Sequence, residues 1–171
     1  FKKIMKRNIS VLLIMICYSC FSQEKNNNSY QLEGSYFYGN IYNHNSDISH
    51  LIKGHPTGVF LSFNKKTFGL KDWEKKYNFP DWGLSFIYKD LKNETLGQNY
   101  GLYANYNFYL FSRNLQLTLG SGLALNTNPY DQDSNYLNIA YGTSLLSSSF
   151  IKANFIKNSI WKGLGFQTGL M

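Results

Sequence analysis

The strongest signal in this sequence is an alternation of period two. Leu115, Leu117 and Leu119 are interleaved with Gln116, Thr118 and Gly120, which puts apolar side chains on one face of a strand and polar or small ones on the other. Between Gln98 and Phe111 the same pattern sets Leu102, Ala104, Tyr106, Phe108 and Leu110 against Tyr103, Asn105, Asn107 and Tyr109. It returns in Ile160, Leu164, Phe166 and Leu170 against Gly163, Gly165, Gln167 and Gly169. Further strands are predicted over Gly34 to Tyr42, Thr57 to Asn64, Trp82 to Lys89 and Ala140 to Phe155. Turn-forming stretches such as Phe79-Pro80-Asp81, Ser112-Arg113-Asn114 and Asn126-Thr127-Asn128-Pro129 separate them. No segment after the first 22 residues carries a helical stripe, so the pattern predicts about seven antiparallel strands.

Two architectures bury such strands. A soluble sandwich joins its apolar faces in a dry core and exposes charge; a membrane barrel turns its apolar face to lipid and fills its interior with Asn, Gln, Ser, Thr, Gly and Tyr. Composition separates them. The 171 residues are 18% aromatic, with 14 Tyr and 13 Phe, but only 16% charged. The charges fall mainly in connections: Lys65-Lys66, the Lys71 to Lys76 run, Lys89-Asp90 at a strand end and Arg113 at a strand start. The prediction is an all-β, antiparallel up-and-down β-barrel of outer-membrane type rather than a periplasmic sandwich. Leu117→Arg, facing lipid, is then expected to cost more than Thr118→Arg, facing the lumen, unless the interior is tightly filled.

The first residues set the compartment. Lys2, Lys3, Lys6 and Arg7 precede an apolar run from Ile9 to Ile16 that is too short to span a bilayer as a helix, and small residues follow around Cys20-Phe21-Ser22. Residues 1–22 therefore read as a secretory signal peptide and 23–171 as the barrel domain. Lipidation at Cys20 is the alternative, but Cys17-Tyr18-Ser19 is a poor lipobox. Both cysteines, Cys17 and Cys20, lie in the segment to be removed, leaving no disulfide, thiolate nucleophile or Cys-based metal site. The formal net charge of +7 falls with it: 13 basic against 10 acidic residues remain, a balance of +3 with no basic stripe, which excludes nucleic acid as partner. Met171 closes a strand-like run without a terminal aromatic, and bacterial barrels have even strand numbers, so a C-terminally truncated fragment of an eight-stranded barrel is expected.

Candidate chemistry is sparse. His44, His50 and His55 share one connection with Asp47 as the nearby carboxylate, without metal-ligand spacing, and read as a solvated loop. Asp131 and Asp133 read as turn formers. Ser144, Ser147, Ser148 and Ser149 lack a Gly-x-Ser-x-Gly elbow and any histidine downstream of His55. Spacing alone yields no catalytic residue, no metal site and no cofactor.

Several stretches resemble the outer-membrane lipid A 3-O-deacylase family in its acyloxyacyl-hydrolase-like branch. They include Tyr38-Gly39-Asn40-Ile41-Tyr42-Asn43-His44, Gly58 to Ser62, and Trp73 to Leu84, with its Trp-x3-Tyr-x2-Pro pattern. Leu96-Gly97-Gln98 leading into Tyr100 to Leu110, Gly120 to Ala124, and Asn128-Pro129-Tyr130-Asp131 running to Asn135 and Asn138 complete the likeness. The resemblance implies an eight-stranded barrel that removes an ester-linked acyl chain from lipid A by a Ser-His-acid mechanism, with lipopolysaccharide and outer-membrane lipids as partners. It also implies a His-x-Ser-Asn motif near the C-terminal end, two residues apart on a strand and so on one face. Trp161 to Met171 resembles the lead-in to that motif, and the motif itself is expected beyond residue 171. No residue here matches the family's catalytic positions, and Gly142-Thr143-Ser144 departs from a histidine-bearing stretch of relatives. The fragment alone is expected to be inactive; the other function considered is a non-enzymatic outer-membrane barrel, structural or surface-binding.

Overall fold

The computed structural model describes residues 29–43, 46–161 and 163–171. The predicted signal peptide and its cleavage site lie outside the described residues. Seven strands, β1 (Tyr30–Tyr38), β2 (Thr57–Lys65), β3 (Asp81–Asp90), β4 (Gln98–Leu110), β5 (Leu115–Asn126), β6 (Leu145–Trp161) and β7 (Leu164–Leu170), form one sheet in chain order. Every pairing is antiparallel. The all-β up-and-down architecture is the one the alternation predicts. Among the described residues the helical content is a five-residue helix, α1 (Asp72–Lys76), and a 3-10 turn over Ser46–Leu51, both in connections.

The register settles which side chains share a face. One row links Tyr36, Val59, Tyr88, Tyr100, Leu125 and Leu145 across six strands; the next outward row links Gly34, Leu61, Phe86, Leu102, Leu123 and Ser147. These rows are exposed: Leu102 keeps 59% of its surface and Leu123 56%. A soluble protein does not leave so wide an apolar face to water. The opposite face is inverted. Gln116, Thr118, Asn107 and Asn64 are each 1% exposed and fill the concave side. Polar interior and apolar exterior are the arrangement of a transmembrane barrel. Tyr88 with Tyr100 and Tyr30 with Phe63 are paired outward at opposite ends of the strands, with ring centroids 5.2 and 5.1 Å apart, as the aromatic girdles of such barrels require.

Contacts across the concave face show how far the sheet curls. Lys152 of β6 donates to the Glu33 carboxylate of β1, although the two strands are not neighbours, and both side chains are buried. Lys152 Nζ also sits 3.9 Å from the centroid of the Phe60 ring. Phe150 meets Tyr103 edge-on at 5.1 Å and Phe60 at 5.6 Å, lying against Gly120, where an added Cβ would come within 2.1 Å of the ring. Large side chains from one strand thus fill space left by glycine on another. Asn105 Nδ2 donates to Asn64 Oδ1 at 2.6 Å, and Ser85 Oγ to Asn105 Oδ1 at 2.8 Å, so these lumenal amides find partners on adjoining or nearby strands.

The end of the sheet bearing the connections 66–80 and 111–114 is closed by polar side chains. Tyr109 Oη donates to Asp81 Oδ2 at 2.6 Å, Arg113 lies 3.8 Å over the Tyr109 ring, and Arg113 donates to the Phe79 carbonyl at 3.0 Å. Phe111, Ser112 and Arg113 all take positive φ, as do Asn78 and Phe79. Asn78 Nδ2 donates to the Tyr109 carbonyl at 2.8 Å, so the two left-handed turns hold each other in a conformation non-glycine residues avoid. The Glu74 carboxylate of α1 accepts from the N–H groups of Gly69 and Leu70 at 2.8 and 2.9 Å, which fastens the segment resembling the Trp-x3-Tyr-x2-Pro stretch.

Several strand boundaries differ from the sequence expectation, and β1 begins four residues earlier than expected, at Tyr30 rather than Gly34, where Tyr30 pairs with Lys65. β1 ends at Tyr38 rather than Tyr42, because Ile41 leaves the sheet to pack on the cluster of Leu51, Leu91 and Leu96. β6 starts at Leu145 rather than Ala140, because Tyr141 joins the same cluster. The run from Ile160 to Leu170 is a hairpin and not one strand: Ile160 belongs to β6, and Gly163, at φ +87°, turns the chain into β7.

Candidate active site at the loop end of the barrel

The three long connections 39–56, 91–97 and 127–144 emerge at the other end of the sheet, and asparagines lock two of them together. Asn126 Nδ2 donates to the Leu96 carbonyl at 2.8 Å and to Asn99 Oδ1 at 2.7 Å. Asn138, fully buried, donates to the carbonyls of Asn128 and Thr95 at 2.6 and 3.1 Å and accepts from the Ala140 and Tyr141 N–H groups. Asn135 reaches the same Thr95 carbonyl at 3.1 Å. Only an amide offers two donors and an acceptor in this plane. Asn138→Ala leaves buried carbonyls and N–H groups without partners and is expected to destabilise by about 1–3 kcal/mol, read as a lower midpoint in urea unfolding.

Asp131 shapes the tip of the long loop. Its Oδ1 accepts from the Ser134 N–H at 2.8 Å, the Ser134 hydroxyl at 2.8 Å and the Asp133 N–H at 3.1 Å. The Ser134 N–H, the Ser134 hydroxyl and the Asp133 N–H, in that order, hold its carboxyl below the ordinary value. A lowered folded-state value stabilises above the unfolded value of about 3.9 and is lost as pH falls through the folded one. Amide exchange of residues 132–135 is therefore expected to quicken below about pH 4 and to be insensitive to pH above it, once intrinsic exchange rates are divided out.

Beneath these loops lies a cavity of about 560 Å³, within the ~300–1,000 Å³ usual for small-molecule sites. Its walls are apolar, including Ile41, Ile48, Leu51, Leu91, Leu96 and Ile139, and Met171 borders it at the end of β7. Directly below is a smaller, more polar cavity of about 270 Å³ lined by residues such as Asn99, Tyr103 and Ser148. Lys89, Ala140 and Tyr141 border both. Asn99 Nδ2 donates to Tyr141 Oη at 2.9 Å, and burial raises the Tyr141 phenol above its ordinary value, so it stays neutral.

The residues singled out by sequence are not brought together. His50 Nε2 contacts the Leu137 carbonyl at 3.0 Å, while His55 Nδ1 contacts Asn40 Oδ1 and its ring lies 5.0 Å from that of Tyr38. A His-x-Ser spacing also occurs in the sequence at His44-Asn45-Ser46; His44 and Asn45 lie outside the described residues. Ser148 faces inward and accepts from Tyr103 Oη at 3.1 Å, whereas Ser149 faces outward and donates to Ser121 at 3.1 Å. Neither has a histidine partner among the described residues. Ser144 supplies a carbonyl to the Asn126 N–H at 2.7 Å. Among the described residues no three His, Cys, Asp or Glu side chains converge as metal ligands. Sequence reasoning missed Lys89 as a lumenal residue; its place in the alternation, two residues after the inward Ile87, was the available signal.

Neither the curated protein sequences nor the solved structures give a match to this chain. The family model described as lipid A 3-O-deacylase (PagL) matches residues 57–170, from the first residue of β2 to the last of β7. That span contains the asparagine lock, most of the polar lumen and the apolar outer face, and by this match the chain belongs to the lipid A 3-O-deacylase (PagL) family.

Proposed function

We propose that this chain is the barrel part of an outer-membrane esterase that removes an ester-linked acyl chain from lipid A. The match to the deacylase family over residues 57–170 carries this reading. The loop-end cavity supports it: a largely apolar recess of a size to take an acyl chain is bordered by Met171, the residue after β7. We place the nucleophile and base on chain that continues from β7, in a His-x-Ser pair two residues apart and therefore on one face of the strand. There the imidazole takes the serine proton as the hydroxyl oxygen bonds to the ester carbonyl, and the sugar hydroxyl leaves with that proton. Water then cleaves the acyl-enzyme, giving a free carboxylate and regenerating serine.

The test is mass spectrometry of lipid A from cells expressing the whole gene, with its export signal and everything downstream of the Met171 codon. The proposal predicts loss of one ester-linked acyl chain, abolished when the serine of the downstream His-x-Ser pair is changed to alanine. Unchanged lipid A from cells that insert the protein into the outer membrane would contradict it and leave a non-enzymatic barrel.

A further inference from the structure

The two stacked cavities have one charged residue between them. Lys89 borders both, and no side-chain hydrogen bond or ion pair joins its ammonium to any described residue. Lys152, also in the lumen, has Glu33 as its partner. An ammonium group left unpaired in a confined space is an invitation to an anion. Above it stand apolar walls contributed by all three loop-end connections; below it are Asn99, Tyr103 and Ser148. The shape of the chemistry is that of an amphiphile with one small negative head and an extended hydrocarbon body.

We propose that this cavity holds a long-chain carboxylate, the acyl product of deacylation, with its head paired to Lys89 Nζ and its hydrocarbon among Ile41, Leu51, Leu96 and Ile139. A phosphate group would satisfy Lys89 equally but has no use for the apolar walls. No serine or histidine lines the upper cavity itself, which is thus a product site. An acyl chain that leaves the ester gains a charge it lacked as substrate, so Lys89 distinguishes product from substrate by that charge alone. The inference rests on the esterase reading only for the source of the carboxylate.

The experiment uses the whole gene product in phosphatidylcholine nanodiscs with a photoactivatable hexadecanoate carrying a terminal diazirine. Adducts are mapped by peptide mass spectrometry. Wild-type protein is expected to be labelled at peptides containing residues 41–51, 91–96 and 139–141, and the matching diazirine hexadecanol is expected to label them about tenfold less, the worth of a charge-assisted hydrogen bond. Lys89→Met should bring the carboxylate probe down to the level of the alcohol, and Lys89→Arg should keep most of the labelling. Leu96→Trp, which fills the cavity with Lys89 intact, should remove labelling by both probes. Labelling of the lipid-facing peptides around Leu119 to Leu123 should be the same throughout, and it shows that each variant is folded and inserted.

Adducts confined to the lipid-facing peptides, or equal labelling by acid and alcohol in the wild type, would overturn the inference. The labelling needs no turnover. Lipid A cleavage without loop-end adducts therefore defeats the product site alone, and loop-end adducts without cleavage defeat the esterase reading alone.

Discussion

Replacing Lys152 with methionine while Glu33 remains is expected to destabilise the folded barrel by about 3–5 kcal/mol, because the carboxylate is left buried without its partner. The two side chains are 4% and 3% exposed, so water is not at hand to take over. Phe60, 3.9 Å from the ammonium, would meet a thioether in its place and lose a cation-π contact besides. The double variant Glu33→Leu, Lys152→Met should recover most of the loss, since a buried ion pair exchanged for apolar groups of similar size is often neutral or better. Urea unfolding of the protein reconstituted in phospholipid vesicles measures both. A Lys152→Met protein as stable as wild type would mean that Glu33 and Lys152 do not meet, and that β1 and β6 do not curl towards each other.

The second large effect is on β5. Leu117→Arg puts a guanidinium on the outward row that links Phe108, Leu117 and Ala153, only two residues inside the start of β5, and is expected to cost less than the about 2–4 kcal/mol of an arginine at the bilayer midplane. The neighbouring Thr118→Arg was expected to be milder if the lumen had room. It has none at this level: Thr118 is 1% exposed, donates to Asn107 Oδ1 at 2.7 Å and accepts from Gln116 Nε2 at 3.2 Å. An arginine there displaces a packed polar chain, so Thr118→Arg should be at least as damaging as Leu117→Arg. Thr118→Ser, which keeps the hydroxyl, should be nearly silent in the same titration, whereas Leu117→Ile should be silent for the different reason that lipid accepts either side chain.

The alternation on β4 and β5 was legible because the pleat alone fixes which face a side chain takes, and every inward or outward assignment from Leu102 to Gly120 agrees with the register. The strand ends were not legible, and the reason is local. Ile41 and Tyr141 are as apolar as strand residues, but they pack on the loop cluster of Leu51, Leu91 and Leu96, which imitates a longer strand in the sequence. The β6–β7 hairpin was hidden by parity: Ile160 and Leu164 are an even number of residues apart, so the pattern passes through the turn at Gly163 unbroken. The Glu33–Lys152 pair joins residues 119 apart in sequence, and only the curl of the whole sheet brings them together. The lumenal face of Lys89 follows from the alternation, two residues after Ile87, but nothing in its neighbours reveals the cavities on either side. The Asn128 to Asn138 stretch was legible as a family likeness but not as a device; its meaning, the clamping of one loop to another through Glu94 and Thr95, is visible only in three dimensions.

The claim on which the rest stands is that the convex face of this sheet meets hydrocarbon. The most direct measurement is a nitroxide scan of β5 from Leu115 to Asn126 in lipid vesicles, reading accessibility to oxygen and to a water-soluble nickel complex at each position. The account predicts a period of two, with positions 115, 117, 119, 121, 123 and 125 accessible to oxygen and shielded from nickel, and the even positions shielded from oxygen. Odd positions open to nickel, or shielded from both reagents by a further layer of protein, would contradict it.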